Sequence, residues 1–356
     1  MSTTRKELIE DLLASGLRTP VLETRRGFTE NEAFVAHGVF KVGPPEAINP
    51  ELGIYRDLQD RLGVQYSDIF PQVVLRYHDE QLAVIEMTWL GLSLNEEVFK
   101  PLAWGEWASV LARWPDSSPI VAKLSMADEA VARTLDHLET LFAASQRDDP
   151  ALASAFASET ITALRVNLQR AGLLPELERD LASIEESDNL WSAGLSISCC
   201  HRDLKVDHIY LAQRDGSIEV RLADPRSGVP HFDETPAGRA LIPNSLGCAA
   251  VDFAHLELSL VRRQLELKHI HAGAEVVALQ RVRKSVGDWV TRKRFSAAFY
   301  ELALATWYAG YAKWPPALGK TSPPEKEWLF AHAVTQARER LARCAALTRG
   351  GGGPIS

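Results

Sequence analysis

The sequence predicts an α+β fold of two lobes, and three observations point to it. Short runs rich in Val, Ile, Phe and Tyr, bounded by turn residues, crowd the first 90 residues around one helical segment. Helical periodicity takes over after Gly91. A brief strand-rich island near residues 197–223 interrupts those helices.

After a short N-terminal helix, Val21–Arg26 reads as a strand and Arg26–Asn31, which contains Gly27, as a turn. Glu32–Ala36 and Val39–Val42 read as two more strands, with Gly38 between them. Gly43-Pro44-Pro45 breaks the run. Asn49-Pro50 has the form of a helix start, a side-chain cap followed by proline at the first helical position. Leu52, Tyr55, Leu58 and Leu62 follow at helical spacing. Val73–Tyr77 and Leu82–Met87 then form a hairpin turning at His78-Asp79-Glu80. This organisation divides the chain into a first lobe at residues 1–91, a mostly helical second lobe at 92–348, and a flexible glycine-rich tail at 349–356. In the second lobe, helices are expected from Ser125, from about Glu159 to Gly172, from Pro175 to before Ser187, and again from Cys248. Within the island, Ile197–Cys200, His208–Ala212 and Ile218–Ala223 read as strands, the last two joined by an Asp215-Gly216 turn.

Composition narrows the function classes. A chain of 356 residues that is 46% hydrophobic and 24% charged is globular rather than disordered. A net charge of −8 and a pI of about 5.7 argue against nucleic acid or an anionic membrane as a partner. Four cysteines without a Cys-x-x-Cys pair read as reduced core thiols. Charges at Arg5, Lys6, Glu7, Glu10 and Asp11 break the apolar core that a signal peptide needs, and no apolar run approaches the roughly 20 residues of a membrane span. The expectation is a cytoplasmic protein. Trp104, Trp107, Trp114, Trp307 and Trp314 read as helix packing rather than a substrate box.

The strongest chemical signal is His201-Arg202-Asp203-Leu204-Lys205-Val206-Asp207-His208-Ile209-Tyr210-Leu211, followed by Leu222-Ala223-Asp224-Pro225-Arg226. Asp203 lies in a loop before one strand, and Asp224 lies just past the strand that returns. Pairing of the two strands brings His208 and Asp224 together, with Asp203 beside them. Two carboxylates held in this way suit one base and one metal ligand.

The His201–Lys205 string resembles the catalytic loop of the protein-kinase-like bilobal fold, and the strand–helix–strand start resembles its small lobe, a five-stranded antiparallel sheet with one helix. The closer resemblance is to the aminoglycoside phosphotransferase and small-molecule kinase branch. It rests on the hinge-like Glu86-Met87-Thr88-Trp89-Leu90-Gly91, on Asp224-Pro225-Arg226, and on Val251-Asp252-Phe253-Ala254-His255-Leu256. It spans roughly residues 20–265. The resemblance implies an ATP-dependent enzyme that phosphorylates a hydroxyl of a small molecule, such as a sugar-containing antibiotic or metabolite, with ATP and Mg²⁺ as cofactors. Asp203 would accept or orient the hydroxyl proton, and Lys205 would reach the γ-phosphate. Lys41 would pair the α- and β-phosphates with Glu51 as its partner, and Asp57 is the alternative partner. Asp224 would hold the metal with His208 beside it, and Asp252 would hold the catalytic loop. Gly27, Glu86, Met87 and Arg226 complete the expected nucleotide-binding set.

Three departures from the branch leave other readings open. His208 replaces the usual asparagine, Pro225-Arg226 replaces Phe-Gly, and Gly27 stands alone in place of a G-x-G-x-x-G loop. The histidine is similar to that of lipopolysaccharide core kinases, and the three together also fit a kinase-like binding module without catalysis.

Overall fold

The computed structural model describes residues 23–26, 32–35, 38–88, 90–99, 119–144, 146, 149–187, 197–214, 217–225, 245–270, 273–293, 296–312 and 327–349. The N-terminal helix, Gly27, Trp104, Trp107, Trp114, the Asp215-Gly216 turn, Arg226, Trp314 and the glycine-rich tail, all of which carried sequence expectations, lie outside these residues.

The strands β1 (Glu23–Arg26), β2 (Glu32–Val35), β3 (Gly38–Gly43), β4 (Val73–His78) and β5 (Ala83–Thr88) pair antiparallel in the order β1-β2-β3-β5-β4. Strand alternation sorts β3: Phe40 and Val42 are buried on one face, which leaves Lys41 on the other. The β4–β5 turn is tied by Asp79, whose Oδ1 accepts from the Gln81 and Leu82 backbone N–H groups at 2.7 Å.

Helix α1 runs from Pro45 to Leu62, starting four residues before the expected Asn49 cap. Pro45 at the first helical position holds Pro44 in an extended conformation, and the Pro44 carbonyl accepts from Ala47 and Ile48 N–H. The extra turn buries Ile48, which clusters with Leu52, Ala83 and Ile85 against the sheet. That burial offsets the hydrogen bond lost at Pro50 inside the helix.

A short helix α2 (Tyr66–Ile69) leads back to the sheet, and β6 (Leu92–Ser93) leaves it. The helices α3 (Pro119–Ala143), α4 (Pro150–Arg170) and α5 (Leu174–Glu185) follow. Two of them begin earlier than the apolar pattern suggests. Helix α3 begins at Pro119 rather than Ser125. Helix α4 begins at Pro150 rather than Glu159, capped by Asp149, which accepts from Leu152 N–H at 3.0 Å. Its alanine-rich first turns carry little contrast between faces, so periodicity does not reveal them.

The island forms β7 (Ser198–Cys199), β8 (Ile209–Arg214) and β9 (Ser217–Leu222), which with β6 and the later β10 (Leu246–Gly247) make two small sheets ordered β6-β8-β9 and β10-β7. His208 belongs to a 3-10 turn, Val206–His208, rather than to the strand expected there. Helices α6 (Ala249–Ile270), α7 (Gly273–Lys293), α8 (Ala297–Ala312) and α9 (Glu327–Arg349) close the fold. Helix α8 is buried on nearly all sides and has no polar stripe. Trp307 is buried within it, and all four cysteines are buried thiols. No described helix is long and apolar enough to cross a membrane.

Candidate active site

Three elements, one of them far from the others in sequence, meet at one cluster of charge. Lys41 reaches from β3 to Glu51 on α1 at 2.6 Å and also donates to Asp224, just past β9. Burial opposes the Lys41 charge, but Asp224 and Glu51 outweigh it and raise its pKa above the ordinary lysine value. The same pairing acts on Asp224. Burial would raise its carboxyl, and Lys41 and His208 hold it well below the usual carboxylate range. Glu51, not Asp57, is the lysine's partner. Asp57 instead pairs with Arg61 at 3.0 Å and accepts from Ser245 N–H and Oγ–H.

Asp224 is fixed by its backbone as well. Its N–H donates to the Tyr55 hydroxyl at 2.9 Å, and its φ is 61°, a left-handed conformation that non-glycine residues seldom adopt. Arg202, beside Asp203, is the other described non-glycine residue with positive φ, at 63°. Strained backbone therefore brackets the cluster on both sides.

The loop before β8 carries the second carboxylate. Asp252, one turn into α6, accepts from His201 N–H at 2.7 Å and from Arg202 N–H. His201 is fully buried, which pushes its imidazole down to about 4, and its Nε2 bonds the Ala223 carbonyl at 2.9 Å. Asp203 is buried at the centre of the loop, with Lys205 Nζ and His208 Nδ1 each 3.6 Å from Oδ2. His208 Nδ1 also lies 2.9 Å from the Asp203 carbonyl oxygen. Donation there puts the proton on Nδ1, and Nε2 stands 3.6 Å from Asp224 Oδ2, where the positive charge of a protonated ring pairs with that carboxylate.

The structure thus brings together Asp203, Lys205, His208, Asp224, Lys41 and Glu51. Glu86 and Met87, on the strand paired with β3, make other contacts. The Glu86 carboxylate pairs with Arg76 on β4, and Met87 packs in the core. Gly27 and Arg226 lie outside the described residues.

Two residues enter the site that sequence reasoning assigned no part in it. Tyr55 counted only as one of the apolar residues of α1. His255 Nδ1 lies 3.3 Å from Asp203 Oδ1. The Asp252–His255 spacing of three residues, one helical turn, was the available signal that the two face the same loop.

The donor set suits Mg²⁺ in part. A carboxylate plus substrate phosphates is its usual provision, whereas an imidazole nitrogen is a poor ligand for it. Among the described residues no group of three or more His, Cys, Asp or Glu side chains could hold a metal ion. Any cation here would draw its remaining ligands from substrate and water.

No model of a known protein family matches the sequence, and no curated protein does so significantly. Solved structures do match. A glucosamine kinase bound to glucosamine, ADP and inorganic phosphate is 15% identical with a TM-score of 0.50, over 94% of this chain and 84% of that one. A second crystal form of glucosamine kinase gives 14% and 0.50, over 95% and 83%. An ADP-bound aminoglycoside phosphotransferase is 14% identical over 96% and 98%, with a TM-score of 0.41. At such identities the likeness to glucosamine kinase is one of fold, and the chain shares that kinase-like fold.

Proposed function

We propose that the protein is an ATP-dependent phosphotransferase acting on a hydroxyl of a small molecule. The observation that carries this reading is the convergence of Lys41, Glu51, Asp224 and Asp203 on one site, from β3, α1, the end of β9 and the loop before β8. A structural salt bridge does not call for a second carboxylate in a buried loop whose backbone is itself held by Asp252. In the reaction, the acceptor oxygen forms a bond to the γ-phosphorus, the bond to the ADP oxygen breaks, and Asp203 receives the hydroxyl proton. Lys41 and Lys205 stabilise charge on the phosphates. Asp224 would hold Mg²⁺ with His208 at its edge, and the ion, when bound, would neutralise phosphate charge. Residues 1–91 would form the nucleotide-binding lobe, with Gly27, Glu86, Met87 and Arg226 in its binding set, and residues 92–348 the lobe that binds the acceptor.

The shared fold supports the acceptor class, since the similar glucosamine kinase was captured with an amino sugar and ADP. A surface of net charge −8 also suits a cationic amino sugar, within a cytoplasmic protein. The test is calorimetric titration of ATP with and without Mg²⁺, followed by phosphate transfer to a panel of amino sugars and aminoglycosides. Mg²⁺-dependent binding and a turnover that falls about 10²–10⁴-fold in Asp203→Asn, at unchanged ATP affinity, are expected. An Asp203→Asn enzyme with full turnover would remove Asp203 from its role. Failure to bind ATP under either condition would leave a kinase-like binding module.

A further inference from the structure

One stripe of α6 acts as a template for the catalytic loop. Asp252 accepts the backbone N–H groups of His201 and Arg202. Ser259, seven residues on, accepts Val206 N–H at 3.3 Å. Between them on the same face stands His255, opposite the side chain of Asp203. Its ring is buried and lies flat on Trp307, with centroids 3.5 Å apart and planes within 9°. Trp307 is held in turn by donating Nε1–H to the Val251 carbonyl at 3.3 Å. The imidazole therefore has little freedom to turn, and its Nδ1 stays 3.3 Å from Asp203 Oδ1. The other oxygen, Oδ2, faces Lys205 and His208, towards Asp224. The two carboxylate oxygens thus have different surroundings: one meets the helix and the other meets the charge cluster.

We propose that His255 is a positioning residue. It donates from Nδ1 to Asp203 Oδ1 and holds the carboxylate so that Oδ2 receives the acceptor proton. The catalytic part of this inference rests on the phosphotransferase reading, and the hydrogen bond itself does not. At 3.3 Å the pair falls short of hydrogen-bond geometry, and such catalytic contacts are often loose before substrate arrives and tighten in the reacting complex.

The experiment separates donor from packing. His255→Phe keeps a flat ring on Trp307 and removes the donor. His255→Asn places an amide N–H near the Nδ1 position and removes the stack. With an acceptor in hand, Phe should lower kcat about 100-fold at nearly unchanged KM for ATP, and Asn should recover at least about tenfold of that loss. A Phe variant with wild-type kcat would overturn the proposal and leave His255 a packing residue. Nitrogen-15 histidine NMR of the full chain provides an arm that needs neither turnover nor a folded His255 variant. A protonated Nδ1 on His255 whose resonance moves in Asp203→Asn sustains the hydrogen bond, even if no acceptor is ever phosphorylated. An unprotonated Nδ1, or a resonance indifferent to Asp203→Asn, refutes it.

Discussion

Glu159 carries the clearest conflict at the scale of a single residue. It is buried on α4, and neither carboxylate oxygen has a hydrogen-bond partner among the described residues. Burial pushes its pKa up to about 7, against the pull of the nearby Arg202 guanidinium. The folded protein therefore holds a proton that the unfolded chain releases above about pH 4.5. The stability from this group is complete below that pH and is lost as pH rises towards 7. Glu159→Gln should remove that slope and raise stability at pH 7.5, by on the order of 2 kcal/mol. Denaturant melts of both proteins at pH 4.5 and 7.5 check it, and parallel slopes would refute it. The residues of the site differed in how far the sequence exposed them. Asp203 stands in a contiguous motif, Asp224 in a short Asp-Pro-Arg string just past a strand, and Lys41 between two apolar strand residues, so local pattern was enough. The contacts of His255 and Tyr55 are made across elements, 52 and 169 positions away, where no local period reaches.

At the scale of elements, the pairing of β6 with β8 depends on one glycine. Gly91 has a φ of 92°, and a Cβ there would overlap the Leu211 carbonyl oxygen. Backbone cannot move aside as a flexible side chain can. Gly91→Ala should cost about 2 kcal/mol or more, read as a lower melting temperature, and an unchanged melt would show that the pairing can relax. The strand alternation of β3 and the β4–β5 hairpin were legible because period-two patterns and an Asx turn are local signals. Helix starts were not. Proline at residue 50 suggested a boundary, while the true start at Pro45 is selected by burial of Ile48 against β5. The alanine-rich beginning of α4 was missed for the same kind of reason, because what fixes it is a cap and tertiary packing.

For the whole molecule, the charge cluster ties the sheet and α1 to the β8–β9 region. Asp57 adds a second tie by accepting from Ser245, close to the start of α6. Anything that binds the cluster should therefore stabilise the chain as a unit. Saturating ATP with Mg²⁺, at about 100 times Kd, is expected to raise the melting temperature by roughly 4 °C. Lys41→Met should melt lower on its own, because it leaves Glu51 and Asp224 without their cation, and it should gain nothing from ATP. A normal ATP shift in that variant would show that nucleotide binds elsewhere.

The double engagement of Lys41 has a further consequence. Its ammonium is the counter-ion of two carboxylates, so it offsets only one of their two negative charges and has none to spare for an anionic ligand that comes alone. On the proposed reading the site behaves as an ion exchanger. Asp224 would hold a divalent cation, which would supply positive charge for the phosphates, and Lys41 would then have charge to offer them as well. Cation and nucleotide would then bind as a matched load, and neither alone would have reason to displace the lysine.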